Sequence, residues 1–91
     1  NSIAARIGLS NTYYAMQDFD SAEDILRNAL EIKPSDGVVL NNLAHVLWKK
    51  GENREAAWYA LMAIHSGGPH VEEFRKTYFN IISSQSTLDL K

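Results

Sequence analysis

The chain has no cysteine among its 91 residues. That excludes a disulfide framework, thiol chemistry and a thiolate zinc site. No apolar run approaches the ~20 residues a helix needs to cross a bilayer, and no signal peptide is visible. Charge of either sign is scarce in surplus: the net charge is -2. A basic face, the usual mark of a nucleic-acid binder, is missing, as is the positive surplus that an anionic membrane surface attracts. We therefore expect no nucleic-acid partner and no membrane insertion. The motif inventory is equally thin. There is no GxGxxG, no Walker lysine loop, no GxSxG elbow and no HExxH. His45, His65 and His70 show no metal-ligand spacing, and His65 and His70 bracket the helix break SGGP. The expectation is a protein that is not an enzyme, with no catalytic residue, cofactor or metal. The chain starts at Asn1 rather than Met, so we expect a piece excised from a larger scaffold or assembly protein, in a compartment the sequence leaves open.

What is present is an internal period. Leu9, Ser10, Tyr13, Ala22, Leu26 and Ala29 are echoed 34 residues later by Leu43, Ala44, Leu47, Ala56, Ala60 and Ala63. A fixed period fixes architecture before any other feature does. Within each unit the apolar residues recur at helical spacing, and each unit is cut once by a short turn, at QDFD in the first and around Gly51 in the second. Such short turns force antiparallel neighbours.

Taken in order, Ser2 to Met16 reads as a first helix. Asp18 is the N-cap of a second, with Asp20, Glu23 and Asp24 placing negative charge near its start, where the helix dipole favours it; that acidic run reads as a solvated helix start. Pro34 stops the second helix. Ser35 or Asp36 opens a third, which Lys49, Lys50 and a left-handed Gly51 close. Asn53 is expected to cap the fourth, which ends at Gly67 and Gly68, and Pro69 suits the first position of a fifth. Val71, Phe74, Tyr78 and Ile81 mark the buried stripe of that fifth helix, and periodicity fades after Ser83, so residues 84–91 are expected to be a flexible tail. Small residues fall where backbones must approach: Ser10 faces Ala22, and Ala44 faces Ala56. No strand is expected. The fold class is all-α, with a plain five-helix bundle as the competing architecture.

This pattern resembles the tetratricopeptide repeat, a 34-residue helix–turn–helix with a small residue in each helix at the close contact. Leu9, Ser10, Tyr13, Asp18, Phe19, Ala22, Leu26, Ala29 and Pro34 carry the resemblance in the first unit. Leu40, Leu43, Ala44, Leu47, Gly51, Ala56, Ala60 and Ala63 carry it in the second. Arg6 stands where the family often has Trp, and Gly68 replaces the second proline. The resemblance implies five helices stacked as a short right-handed α-solenoid: repeat one over about 3–36, repeat two over about 37–69 and a capping helix over about 70–83. It also implies a non-catalytic module that binds a peptide or protein segment in its concave groove. The residues it would place there are Ile7, Asn11, Tyr14 and Ala15 from the first hairpin, Asn41, Asn42, His45, Trp48 and Lys49 from the second, and Arg75, Lys76 and Phe79 from the fifth helix. Asn side chains suit a peptide backbone, and Tyr and Trp are frequent binding anchors. A grip on a terminal carboxylate is disfavoured, because Ile7 and Glu72 stand where the family's cations would be. Two alternatives remain: a self-associating homodimer or spacer module, or an accessory domain of an enzyme whose chemistry lies outside this stretch.

Overall fold

The computed structural model describes residues 2–89, with side chains to Ser84. Five helices follow in order: α1 Ile3–Ala15, α2 Phe19–Ile32, α3 Gly37–Lys49, α4 Asn53–Ser66 and α5 Val71–Asp89. Each packs on the next, and α3 also touches α5. α1 with α2 and α3 with α4 form two antiparallel hairpins of one design. The result is an all-α helical-repeat stack measuring 45 × 28 × 18 Å.

The two hairpin turns are built by the same bonds. Asp18 N–H donates to the Tyr13 carbonyl at 2.9 Å, and Glu52 N–H donates to the Leu47 carbonyl at 2.9 Å. The residue just before takes a left-handed conformation in both, Gln17 with φ 62° and Gly51 with φ 84°. Glycine adopts that region without cost, whereas glutamine does not. Three helices start on side-chain caps. Ser2 Oγ accepts from Ala5 N–H at 3.2 Å, Asp18 Oδ1 from Ser21 N–H at 3.2 Å and Asp36 Oδ1 from Val39 N–H at 3.1 Å.

Three expectations about helix ends are corrected. The N-cap of α4 is Glu52, not Asn53, and its side chain makes no cap bond. The repeated turn fixes the helix start at the position equivalent to Asp18, and the longer Glu52 side chain lies 3.7 Å from Lys50 Nζ instead. Pro69 is not the first residue of α5, which begins at Val71. Consecutive left-handed glycines, Gly67 at φ 70° and Gly68 at φ 87°, carry the chain through a turn that contains Pro69 and His70. α5 also does not end at Ser83 but runs helical to Asp89. No proline or glycine interrupts Ser84 to Asp89, and adding residues to an existing helix needs no new nucleus. The remainder of the expected tail, Leu90 and Lys91, lies outside the described residues.

The core runs along the hairpin seams. Ala22, Leu26, Ala29, Leu43, Ala44, Leu47, Ala56, Ala60 and Ile81 are fully buried. Ser10 is buried too, and its Oγ donates to the Ile7 carbonyl at 2.8 Å, so the hydroxyl is satisfied within its own helix. A smaller cluster of Leu40, Ala63 and Phe74 ties α5 to the second hairpin. Gly37 lies against it. A Cβ there would meet the Ser66 hydroxyl and lie 2.8 Å from Phe74 Cε2.

The acidic start of α2 is more than a solvated helix end. Arg27 bonds Glu23 on its own helix at 2.8 Å, then Glu55 and the Tyr59 hydroxyl on α4 at 2.9 and 3.0 Å. Lys50, beyond the end of α3, reaches Asp20 at 2.7 Å and Glu23 at 2.6 Å. Burial alone would raise the Glu23 carboxyl, but the hydrogen bonds of Lys50 and Arg27 outweigh it and hold it below the usual carboxylate value. This polar network bridges the two hairpins on the α2–α4 side of the stack.

Candidate functional site

The α1–α3 side carries the expected binding residues. α1 supplies Asn11 and Tyr14, spaced by three, and α3 supplies Asn42 and His45 at the same spacing. Residues three apart share a helix face, and the stacking of the hairpins brings the two pairs together. They line one hollow of about 220 Å³. Among the described residues, no Lys, Arg, Asp or Glu lines it. Asn11 is exposed, while Tyr14, Asn42 and His45 are half-buried.

Each wall has its support. The Tyr14 ring meets Phe19 edge-on, with centroids 5.4 Å apart. Burial pushes the Tyr14 phenol up, so it keeps its proton at neutral pH and remains a donor. His45 is anchored from α5, where its Nε2 lies 3.2 Å from Thr77 Oγ1. The Thr77 hydroxyl is also 3.2 Å from the Glu73 carbonyl, which can only accept. Both contacts hold at once when Thr77 donates to Glu73 and His45 donates from Nε2 to Thr77. Burial lowers the His45 pKa first, and Lys49 lowers it further, against a smaller opposing pull from Glu73. His45 is therefore neutral at pH 7.

The remaining expected residues divide. Trp48 is half-buried against the core and stands 6.3 Å from the His45 ring, with Lys49 Nζ 5.9 Å above it. Ile7 is half-buried and also packs on the core. Arg75 is exposed and paired with Glu72 on its own helix. Ala15 and Lys76 are exposed. Phe79 is 66% exposed. It occupies the position 34 residues beyond His45, as His45 does beyond Asn11, so one repeat position is polar, titratable and aromatic in turn. Asn41 departs from expectation. It is only 4% exposed, and its Oδ1 is buried with no hydrogen-bond partner among the described residues. Its position on α3 turns it into the packed interior rather than toward open groove.

Sequence reasoning missed Thr77, which orients His45. The available signal was its place in the stripe Phe74, Thr77, Tyr78 and Ile81, where a small polar residue among apolar ones needs a partner. Among the described residues, no group of three His, Cys, Asp or Glu is placed to hold a metal ion, and no helix is long and apolar enough to cross a membrane.

Comparison with known proteins agrees with this architecture. A family model described as a tetratricopeptide repeat matches residues 2–33, which is the first hairpin. A peroxisomal targeting signal receptor of Debaryomyces hansenii is 39% identical over 51 residues. The match covers 56% of this chain and 8% of the receptor. The second hairpin repeats the spacing, the turn bond and the left-handed turn residue of the matched first one. Residues 2–33 thus match the tetratricopeptide repeat, a protein–protein interaction repeat, and the second hairpin follows the same design.

Proposed function

We propose that this module binds an extended peptide or protein segment in the groove formed by α1, α3 and α5, and that it does so without catalysis. The observation that carries the reading is the hollow walled by Asn11, Tyr14, Asn42 and His45. Carboxamides pair with a backbone's N–H and C=O alike, and rings offer apolar area with few rotamers to freeze. Trp48 and Phe79 extend this surface along α3 and α5. The similar receptor, by its name, receives a targeting signal, which supports a short protein segment as the class of ligand. In this reading repeat one spans about 3–36, repeat two about 37–69, and α5 closes the stack as a cap.

The test is a pull-down from source lysate with this domain as bait, against Asn42→Ala/Trp48→Ala checked for an unchanged circular dichroism melt. A protein held by the wild type and lost with the double variant is the expected result. Equal capture by both would move the binding surface away from the groove.

Self-association is the second reading. It draws on the exposed rings of Phe79 and of Trp58, which is 61% exposed on α4. Light scattering at two concentrations separates the readings, because a monomeric mass at both removes the dimer.

A further inference from the structure

We propose that the hollow takes a neutral N–H donor of the bound segment on Nδ1 of His45, so that protonation of this nitrogen releases the segment. The inference rests on the groove reading above and adds the chemistry of the ligand group and its control.

The hollow's other polar walls are adaptable. The Asn11 and Asn42 carboxamides each present a donor and an acceptor and can exchange them by turning over, and the Tyr14 hydroxyl rotates. The His45 ring cannot adapt in this way. Its Nε2 is committed to Thr77 Oγ1 at 3.2 Å, and Thr77 is itself fixed on the Glu73 carbonyl at 3.2 Å. With the proton on Nε2, Nδ1 is a bare acceptor, and no described residue bonds to it. A ligand donor is what it can accept. A cationic donor is disfavoured, because Lys49 lies one turn along α3 and already acts on the ring. A backbone amide, a carboxamide side chain or an indole N–H fits.

The charges acting on His45 are Lys49 from its own helix and Glu73 from α5. α1 presents the uncharged Tyr14 phenol across the hollow. α2 and α4, which also pack on α3, contribute no charge to the ring. On acidification Nδ1 takes a proton, the acceptor becomes a donor, and two N–H groups then face one another. The bound segment holds His45 neutral, so release takes up one proton, and Kd rises toward about tenfold per pH unit below the free domain's His45 pKa.

The probe is a library of N-acetylated, C-amidated dodecapeptides, whose caps remove both terminal charges, selected on the domain at pH 7.5. Selected peptides are measured by fluorescence anisotropy from pH 7.5 to 5.5 on wild type, Asn42→Ala and His45→Gln, with a nitrogen-15 NMR spectrum at each pH to verify folding. Expected are peptides lost with Asn42→Ala, a Kd that climbs as pH falls, and a flat profile in His45→Gln. Imidazole NMR at pH 7.5 should show the Nε2–H tautomer, with the Nδ1 resonance moving when peptide binds. Peptides indifferent to Asn42→Ala, or no selected peptide at all, overturn the groove reading and this proposal with it. Peptides lost with Asn42→Ala whose Kd does not climb below the His45 pKa read by imidazole NMR in the free domain, or a ring carrying its proton on Nδ1, overturn this proposal alone.

Discussion

Gly37→Ala tests how the fifth helix is locked to the second hairpin. In an open helix position this change would stabilise, by up to about 1 kcal/mol in a helix interior. Here the added methyl would stand 2.8 and 3.2 Å from Phe74 Cε2 and Cζ and would also meet the Ser66 hydroxyl. Ser66 can turn away, at the cost of its bond to the Ala63 carbonyl at 2.6 Å, about 0.5–1.5 kcal/mol. Phe74 has less freedom, since it is buried against Leu40 and Ala63. Overpacking of such a site costs about 1–3 kcal/mol. The balance is a net loss of about 1–2 kcal/mol, which lowers Tm by about 5–15 °C in a domain of this size. The assay is a thermal melt by circular dichroism, with Phe74→Leu and the double variant completing a cycle. The double variant should lose less than the sum of the singles by at least about 0.5 kcal/mol. A Tm that stays level or rises in Gly37→Ala would refute the packing of Phe74 over the start of α3.

Other outcomes follow from the same geometry. Ala22→Leu and Ala56→Leu place a larger side chain at fully buried hairpin contacts and should each cost about 1–3 kcal/mol in a denaturant melt. Gln17→Gly relieves a left-handed glutamine and should raise stability by about 0.5–1 kcal/mol by the same measure. Glu23 has a lowered pKa, so its contribution is fully present above the ordinary value of 4.5 and is lost as pH falls through its folded value; Glu23→Gln should flatten that limb of a stability-against-pH curve. His45 is also lowered, from 6.5. The unfolded chain takes up its proton first, and stability should fall below pH 6.5 until the folded form protonates as well, a limb that His45→Gln removes.

The repeat was legible because it is written in small residues. Ser10, Ala22, Ala44 and Ala56 mark close contacts that tolerate little else, and the structure buries all four. Gly51 announced its turn by type. Gln17, in the equivalent place, did not, because the turn bond from Asp18 to Tyr13 imposes the conformation on an unsuited residue. Likewise Asn53, a good cap by type, lost the role to Glu52, which the same bond positions. Asn11, Tyr14, Asn42 and His45 could be placed on helix faces by spacing. That they share one hollow depends on how two hairpins stack. Asn41 shows the limit of face assignment: it sits beside Asn42, yet the packing of α3 buries it. The Arg27 and Lys50 network joins residues about 30 positions apart, and charge order along the sequence does not reveal partners brought together only by stacking.

We propose the groove, not the opposite face, as the working surface. The most direct measurement is a nitrogen-15 NMR titration of this domain with a partner segment captured by the wild type. The expected result is a set of shifts concentrated at Asn11, Tyr14, Asn42, His45 and Trp48, with Trp58 and Leu61 on α4 unmoved. Shifts concentrated at Trp58 and Leu61, with the α1 and α3 residues unmoved, would contradict it.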